Sequence, residues 1–274
     1  MARIYRSRAR RRVRRLAALA ALCSVFAVVD VAAGNPALAV LTDTGSAVRG
    51  LVDSGSYLAA GPAPTPTPAP APAPVPGPRP PGPPVTTVPA GEVALTIDDG
   101  PDPEWTPQVL ALLARLDIRA TFCVVGRQAE AHPALVAAVA GAGHAVANHT
   151  YTHRFLATAT PGRVSTEIGR ATDAITAATG GVRPTLFRAP GGEWSPEVMA
   201  QCAAQGLRPL GWSVDPRDWS RPGTKRIVRT LLGHTVPGSI ILEHDGGGDR
   251  SQTVAALTIA LPRLLDAGFR FVQP

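Results

Sequence analysis

Val93-Ala94-Leu95-Thr96-Ile97-Asp98-Asp99-Gly100 is the stretch that decides how the chain is read. Val93, Leu95 and Ile97 alternate with other residues, the period of a strand with one buried face. The strand then runs into two adjacent carboxylates and a glycine. Successive strand side chains point to opposite faces, so Asp98 and Asp99 cannot both enter one core. At a strand end, one is free to face a metal and the other a reacting water. Gly100-Pro101 turns the chain away. Asp-Gly is also ordinary turn chemistry, so the weight of this stretch comes from its downstream neighbours.

Downstream, strands and helices alternate regularly. After Val93–Asp98, the pattern predicts strands at Ala120–Val125, His144–Asn148, Thr185–Ala189, Pro209–Val214, Ser239–His244 and Phe269–Val272. Between them, apolar residues recur at helical spacing, as in Val109, Leu112, Leu113 and Leu116, or Val164, Ile168, Ala171 and Ile175. Thr106 is a candidate N-cap with Pro107 at the first helical position, and Ser195-Pro196 opens another helix. Pro262 falls inside the last helix, where a kink is expected. Strict βα alternation means parallel strands covered by helices. Polar residues follow at least five strand ends: Asp98, His149, Arg188, Asp215 and His244. A barrel gathers all such ends around one mouth, whereas an open sheet spreads them along a crevice. The expected fold is therefore a distorted parallel (β/α) barrel of about seven strands, short of the usual eight.

The strand ends carry the chemistry. His149-Thr150-Tyr151-Thr152-His153 spaces two imidazoles at i and i+4, which one helical turn would bring to the same side. Two histidines and one carboxylate leave a divalent ion with an open position, the pattern of a catalytic site. His244 is either a solvent-facing loop histidine or a general acid, since imidazole titrates near working pH. Arg188 is either a surface charge or the group that holds Asp98 ionised and oriented. Gly191 and Gly192 leave backbone N–H groups free to face an oxyanion. Trp212 and Trp219 offer faces that stack on sugar rings, although Trp212 also suits a core position. His144 and His234 read as structural, and His132 before Pro133 needs no catalytic role.

The formal net charge of +7 is concentrated at one end: Arg3, Arg6, Arg8, Arg10, Arg11, Arg12, Arg14 and Arg15 stand among the first fifteen residues with no acid. Setting these eight aside leaves nineteen basic residues against twenty acidic ones, a net of −1, so a nucleic-acid partner is not expected. The arginines precede the apolar run Leu16–Val29, and Ala37-Leu38-Ala39 offers a small-x-small cleavage site. Residues 1–39 thus read as a signal peptide, with an uncleaved signal anchor as the alternative and the one route to a membrane. Residues 40–89 read as a linker whose Pro-Ala-Pro-Thr repeats form an extended spacer. The chain is expected to be secreted or held in the cell envelope, and monomeric. Cys123 and Cys202 are compatible with a disulfide or with two buried thiols.

Taken together, Thr96–Gly100, His149–His153, Arg188–Gly192, Asp215–Trp219 and Leu242–His244 resemble, in order, the five motifs of the polysaccharide deacetylase (NodB homology) family of carbohydrate esterases. The resemblance covers residues 90–274, the catalytic domain, and implies removal of N-acetyl groups from GlcNAc-containing polysaccharide with release of acetate. It implies Asp98 as general base, Asp99, His149 and His153 as ligands of a divalent metal (Zn2+, with Co2+ or Mn2+ as alternatives), and Arg188 orienting Asp98. Asp218 would support His244 as the general acid, while Gly191 and Trp219 would meet the substrate. The family's third motif usually carries an aromatic where this chain has Gly191, so one wall of the groove is expected to be missing. The same site would suit an O-acetyl esterase on acetylxylan. A small-molecule amidohydrolase and a non-catalytic carbohydrate-binding module are further alternatives.

Overall fold

The computed structural model describes residues 82–274. The expected signal peptide and nearly all of the expected linker lie outside the described residues. Seven strands alternate with helices: β1 (Glu92–Asp98), β2 (Thr121–Val124), β3 (Ala145–Asn148), β4 (Leu186–Phe187), β5 (Arg208–Pro209), β6 (Ile240–His244) and β7 (Arg270–Phe271). The helices are α1 (Thr106–Leu116), α2 (Gly126–Ala131), α3 (Pro133–Gly141), α4 (Pro161–Ala178), α5 (Pro196–Ala204), α6 (Thr224–His234) and α7 (Ser251–Asp266). The strands run β5-β4-β3-β2-β1-β6, all pairs parallel, with β7 paired to the start of β1.

The sheet curls until the chain leaving β5 meets β6. The expected strand Pro209–Val214 is split between two partners: Arg208 and Pro209 pair with β4, while Val214 bridges to Ile241. This split is the distortion, and only a short seam closes the barrel at its mouth. At the opposite end the gap is bridged by residues ahead of β1. Val85 pairs with Leu210 and Thr87 with Ser239, so the ordered unit takes in residues before Ala90.

Strand alternation sorts the core. Leu95, Ile97, Phe122, Val124 and Ile241 face outward and pack beneath α1, α3, α6 and α7 with Leu113, Val136, Ile227 and Leu257. Ala94, Cys123, Ala147, Leu186, Leu210 and Ile240 form a separate inner cluster. Three of these six inner side chains, Ala94, Cys123 and Ala147, are small. Arg188, the largest fully buried side chain, reaches Thr96 and Asp98 across the barrel.

Several local expectations are corrected. Thr106 does not cap α1; Trp105 holds that position without a side-chain cap. The Thr106 hydroxyl instead accepts from the Asp102 N–H and donates to Asp245. Gly126 opens the short helix α2. Ser195 does cap α5, accepting from the Val198 N–H at 3.3 Å. Pro262 lies inside α7, as expected. Cys123 and Cys202 are both buried free thiols. No helix among the described residues is long and apolar enough to cross a membrane.

Candidate active site

The site lies at the C-terminal ends of the strands, where the side chains predicted from distant stretches line one cleft of about 400 Å³. Asp98, Asp99, His149, His153, Gly191, Trp219 and His244 all line it, together with Phe155, Trp212 and Asp215. Arg188 and Asp218 stand behind this lining as the partners of Asp98 and His244.

Asp98 is the last inward-facing residue of β1. Its Oδ1 accepts from Arg188 Nη1 at 2.7 Å, and the same guanidinium donates to Thr96 Oγ1 and the Gly211 carbonyl, each at 2.7 Å. Arg188 is fully buried, so its charge is tolerable only because these partners satisfy it. The second oxygen, Oδ2, lies 3.6 Å from His149 Nε2. Asp99 breaks the strand alternation with φ +77°, which brings it into the same mouth as Asp98.

The two histidines meet, but not on a helix. His149–His153 is a loop in which Thr150 (φ +65°) and His153 (φ +59°) take left-handed backbone. Asn148 Oδ1 holds the Thr150 N–H at 2.9 Å, and its Nδ2 donates to Thr172 and the Ile168 carbonyl of α4. The free N–H groups of Gly126 and Arg127, opening α2, donate to the Thr150 and Tyr151 carbonyls. Glu167, buried in α4, accepts from both the N–H and the hydroxyl of Thr152 at 2.8 and 2.9 Å.

Asp99 Oδ1 lies 3.0 Å from His153 Nε2 and 3.4 Å from His149 Nε2, and it is buried without a hydrogen-bond partner. His149 Nδ1 faces the Arg188 carbonyl at 2.8 Å. A carbonyl only accepts, so Nδ1 carries the proton and Nε2 presents its lone pair inward. Ligand atoms about 2.0–2.2 Å from a tetrahedral Zn2+ stand about 3.3 Å apart, and these separations match. The three residues therefore fit a divalent cation, with ligand atoms within 4.8 Å of one another. Burial opposes the Asp99 carboxylate, but whenever the neighbouring His149 and His153 rings are protonated they hold it well below the usual carboxylate range.

His244 ends β6 beside Asp98. Its Nδ1–H donates to Asp218 Oδ1 at 2.7 Å, and its backbone N–H donates to Asp218 Oδ2 at 3.0 Å. Thr253 of α7 completes that carboxylate at 2.7 Å. Burial opposes the imidazolium, yet the Asp218 hydrogen bond and charge prevail and push His244 up to about 9. The glycines after it are needed for close approach: a Cβ at Gly246 would collide with the Asp99 backbone.

Some working residues were not singled out from sequence. Glu167 carried a signal, being an acid one place before Ile168 on the apolar face of α4. Thr106 was read only as a helix cap and Asp245 carried no signal, because only folding brings them together at 2.6 Å. Glu243, fully buried, is pushed well above the usual carboxylate range by burial, with Asp218 pushing the same way. His144 is structural as expected: its Nδ1 accepts from the Ala120 N–H at 3.1 Å, and burial lowers it to about 4.

Fold and site together define an α/β barrel that gathers carboxylates and imidazoles from separate strand ends into one cleft. The family model for polysaccharide deacetylase matches residues 86–210. A chitooligosaccharide deacetylase of Bradyrhizobium sp. is 44% identical over 188 residues, which is 65% of this chain and 86% of that one. A peptidoglycan-N-acetylglucosamine deacetylase of Bacillus cereus is 41% identical over 183 residues, 66% of this chain and 84% of that one. The solved Bc1960 peptidoglycan N-acetylglucosamine deacetylase is 35% identical and superposes with a TM-score of 0.66, covering 69% of this chain and 89% of its own. The chain belongs to the polysaccharide deacetylase family, as its five motifs lead one to expect.

Proposed function

We propose that the protein removes N-acetyl groups from GlcNAc residues of a peptidoglycan- or chitin-type polymer, releasing acetate and leaving a free amine. The observation that carries this reading is one cleft holding an arginine-held carboxylate, Asp98, and an aspartate-held imidazole, His244, around the Asp99–His149–His153 cluster. Asp99, His149 and His153 would hold a divalent cation, Zn2+ with Co2+ or Mn2+ as alternatives, which would supply Lewis-acid polarisation and lower the pKa of a water.

Asp98 Oδ2, the oxygen not held by Arg188, accepts the proton of the attacking water. The water oxygen bonds to the acetyl carbon, and the carbonyl oxygen takes up the negative charge. The Gly191 N–H donates to that oxygen. His244 holds Nδ1–H against Asp218, so Nε2 carries the transferable proton. It protonates the amide nitrogen as the C–N bond breaks, which lets the amine leave. Trp219 presents its face to the sugar. A signal segment at 1–39 and a linker ending ahead of Val85 would suit an exported catalytic domain working on a wall polymer.

The test measures acetate release from N-acetylated peptidoglycan, chitin oligomers and acetylxylan, with and without a chelator. Release from the first two, abolished by chelation and restored by Zn2+, is expected. Release from acetylxylan alone would assign an O-acetyl esterase. Asp98→Asn should keep the bound metal and lose about 10²–10⁴-fold in kcat, the usual contribution of a positioned base. Full activity in that variant overturns the assignment of the base.

A further inference from the structure

The family's usual aromatic is absent at Gly191, but the cleft is not left open there. Phe155, two residues past His153, lays its ring over the place a side chain at Gly191 would occupy. A Cβ built on Gly191 would stand 3.2, 3.5 and 3.6 Å from Phe155 Cε1, Cζ and Cδ1. Gly191 also has φ +66°, so its bare backbone both permits the bend and admits the ring. Phe155 is 57% exposed and touches His153 edge-on, with ring centroids 6.3 Å apart.

Exposed apolar residues are common, and one alone would mean nothing. Among the described residues, however, the exposed large hydrophobics are Phe155, Val182, Trp219, Val236 and Ile259. The two aromatic ones both line this cleft. They come from different loops. Phe155 follows the histidine loop, whereas Trp219 follows Asp218, the partner of His244. Trp219 is 44% exposed, and Arg217 backs its ring at 4.9 Å.

We propose that Phe155 is a substrate-binding wall of this enzyme, stacking on a pyranose ring from the metal-ligand side while Trp219 serves the acid side. This rests on the reading of the substrate as a GlcNAc polymer. The aromatic surface beside Gly191 comes from the loop after β3, so this wall of the cleft is set by a residue outside the five motifs. Phe155 binds; it does not take part in bond breaking.

The test separates binding from reaction. The full chain, stripped of metal with a chelator, is titrated calorimetrically with the hexamer of N-acetylglucosamine. F155A is expected to weaken binding about tenfold, the loss of one aromatic contact, while F155W stays within about twofold of the native chain. With Zn2+ restored, KM for the hexamer should rise by a similar factor in F155A with kcat little changed. Native binding in F155A, no binding of the hexamer by the native chain, or a loss confined to kcat would each overturn the proposal. Phe155-dependent binding without acetate release would instead leave the wall standing and sink the proposed reaction. Acetate release with F155A indifferent would do the reverse.

Discussion

At the scale of single residues, the site is two opposite charges each held by a buried partner. Arg188 and Asp98 form such a pair inside the barrel, and removing one member would strand the other's charge at a cost of about 3–5 kcal/mol. Lysine is no substitute there, because one guanidinium serves Asp98, Thr96 and Gly211 at once. On the other side, Asp218 sets the charge of His244. Its folded-state value near 9 exceeds the ordinary value of about 6.5, so the imidazolium is the stable form at neutral pH. The stabilisation it contributes is fully present below the unfolded value and is lost as pH rises through the folded one. Acid catalysis is lost over the same rise. Asp218→Asn keeps the shape and removes the charge. The basic limb of kcat/KM should then move down by up to about two pH units, with a smaller loss of activity at pH 6 than at pH 8.5. Bound metal lowers both limbs by its positive charge, so native and variant are compared with Zn2+ present. An unmoved limb would mean that His244 is not the acid.

At the scale of elements, the strand ends were legible and the loops between them were not. An apolar alternation ending in Asp98, in His149 or in His244 announces both a strand and what stands at its tip. The spacing His149–His153 identified the right pair for the wrong reason: two left-handed residues and α2, rather than a helical turn, bring the rings together. No local pattern reports that fold, because it depends on hydrogen bonds from Asn148 and from α4, whose partners are distant in sequence. Glu167 shows the dependence best. Its two oxygens hold the Thr152 N–H and hydroxyl, one residue before His153. Glu167→Ala removes both acceptors from Thr152, an exposed residue whose freed N–H and hydroxyl can turn to water, at a cost of about 1 kcal/mol. It also frees the histidine loop to move. Calorimetric titration with Zn2+ should show affinity lower by about 10–100-fold, as for other supports of metal ligands, while Glu167→Gln should lose less. Equal affinity in all three proteins would make α4 a bystander.

At the scale of the whole molecule, a barrel of seven strands has to be closed by something other than an eighth. The strand count and the parallel order could be read from the βα rhythm. The closure could not, because its pieces do not look like strands. Val214 makes the seam at the mouth, with Ser213 and Val214 donating to the Ile240 carbonyl and Leu242 donating back to Val214. At the other end the closing segment is rich in proline and resembles the spacer before it. Prolines at 83, 84 and 89 surround Val85–Val88. Within that frame the N–H groups that remain are used. Val85 donates to Pro209 and accepts from Gly211, and Val88 donates to Gly238, at 2.9, 2.8 and 2.9 Å. Val85 and Val88 also pack on the inner cluster of Ala94, Leu210 and Ile240. This clamp ties β5 to β6 directly beneath Arg188, whose guanidinium reaches the Leu210 and Gly211 carbonyls of the same stretch. Deleting residues 84–89 from the full chain removes four backbone hydrogen bonds worth about 1 kcal/mol each, the fourth from the Glu92 N–H to the Pro89 carbonyl, together with two partly buried valines. Urea unfolding should therefore lose at least about 3 kcal/mol, and kcat should fall as the Arg188–Asp98 pair loosens, with Zn2+ affinity affected less because its ligands stand on β1 and the loop after β3. Unchanged stability would mean that the Val214 seam alone closes the barrel.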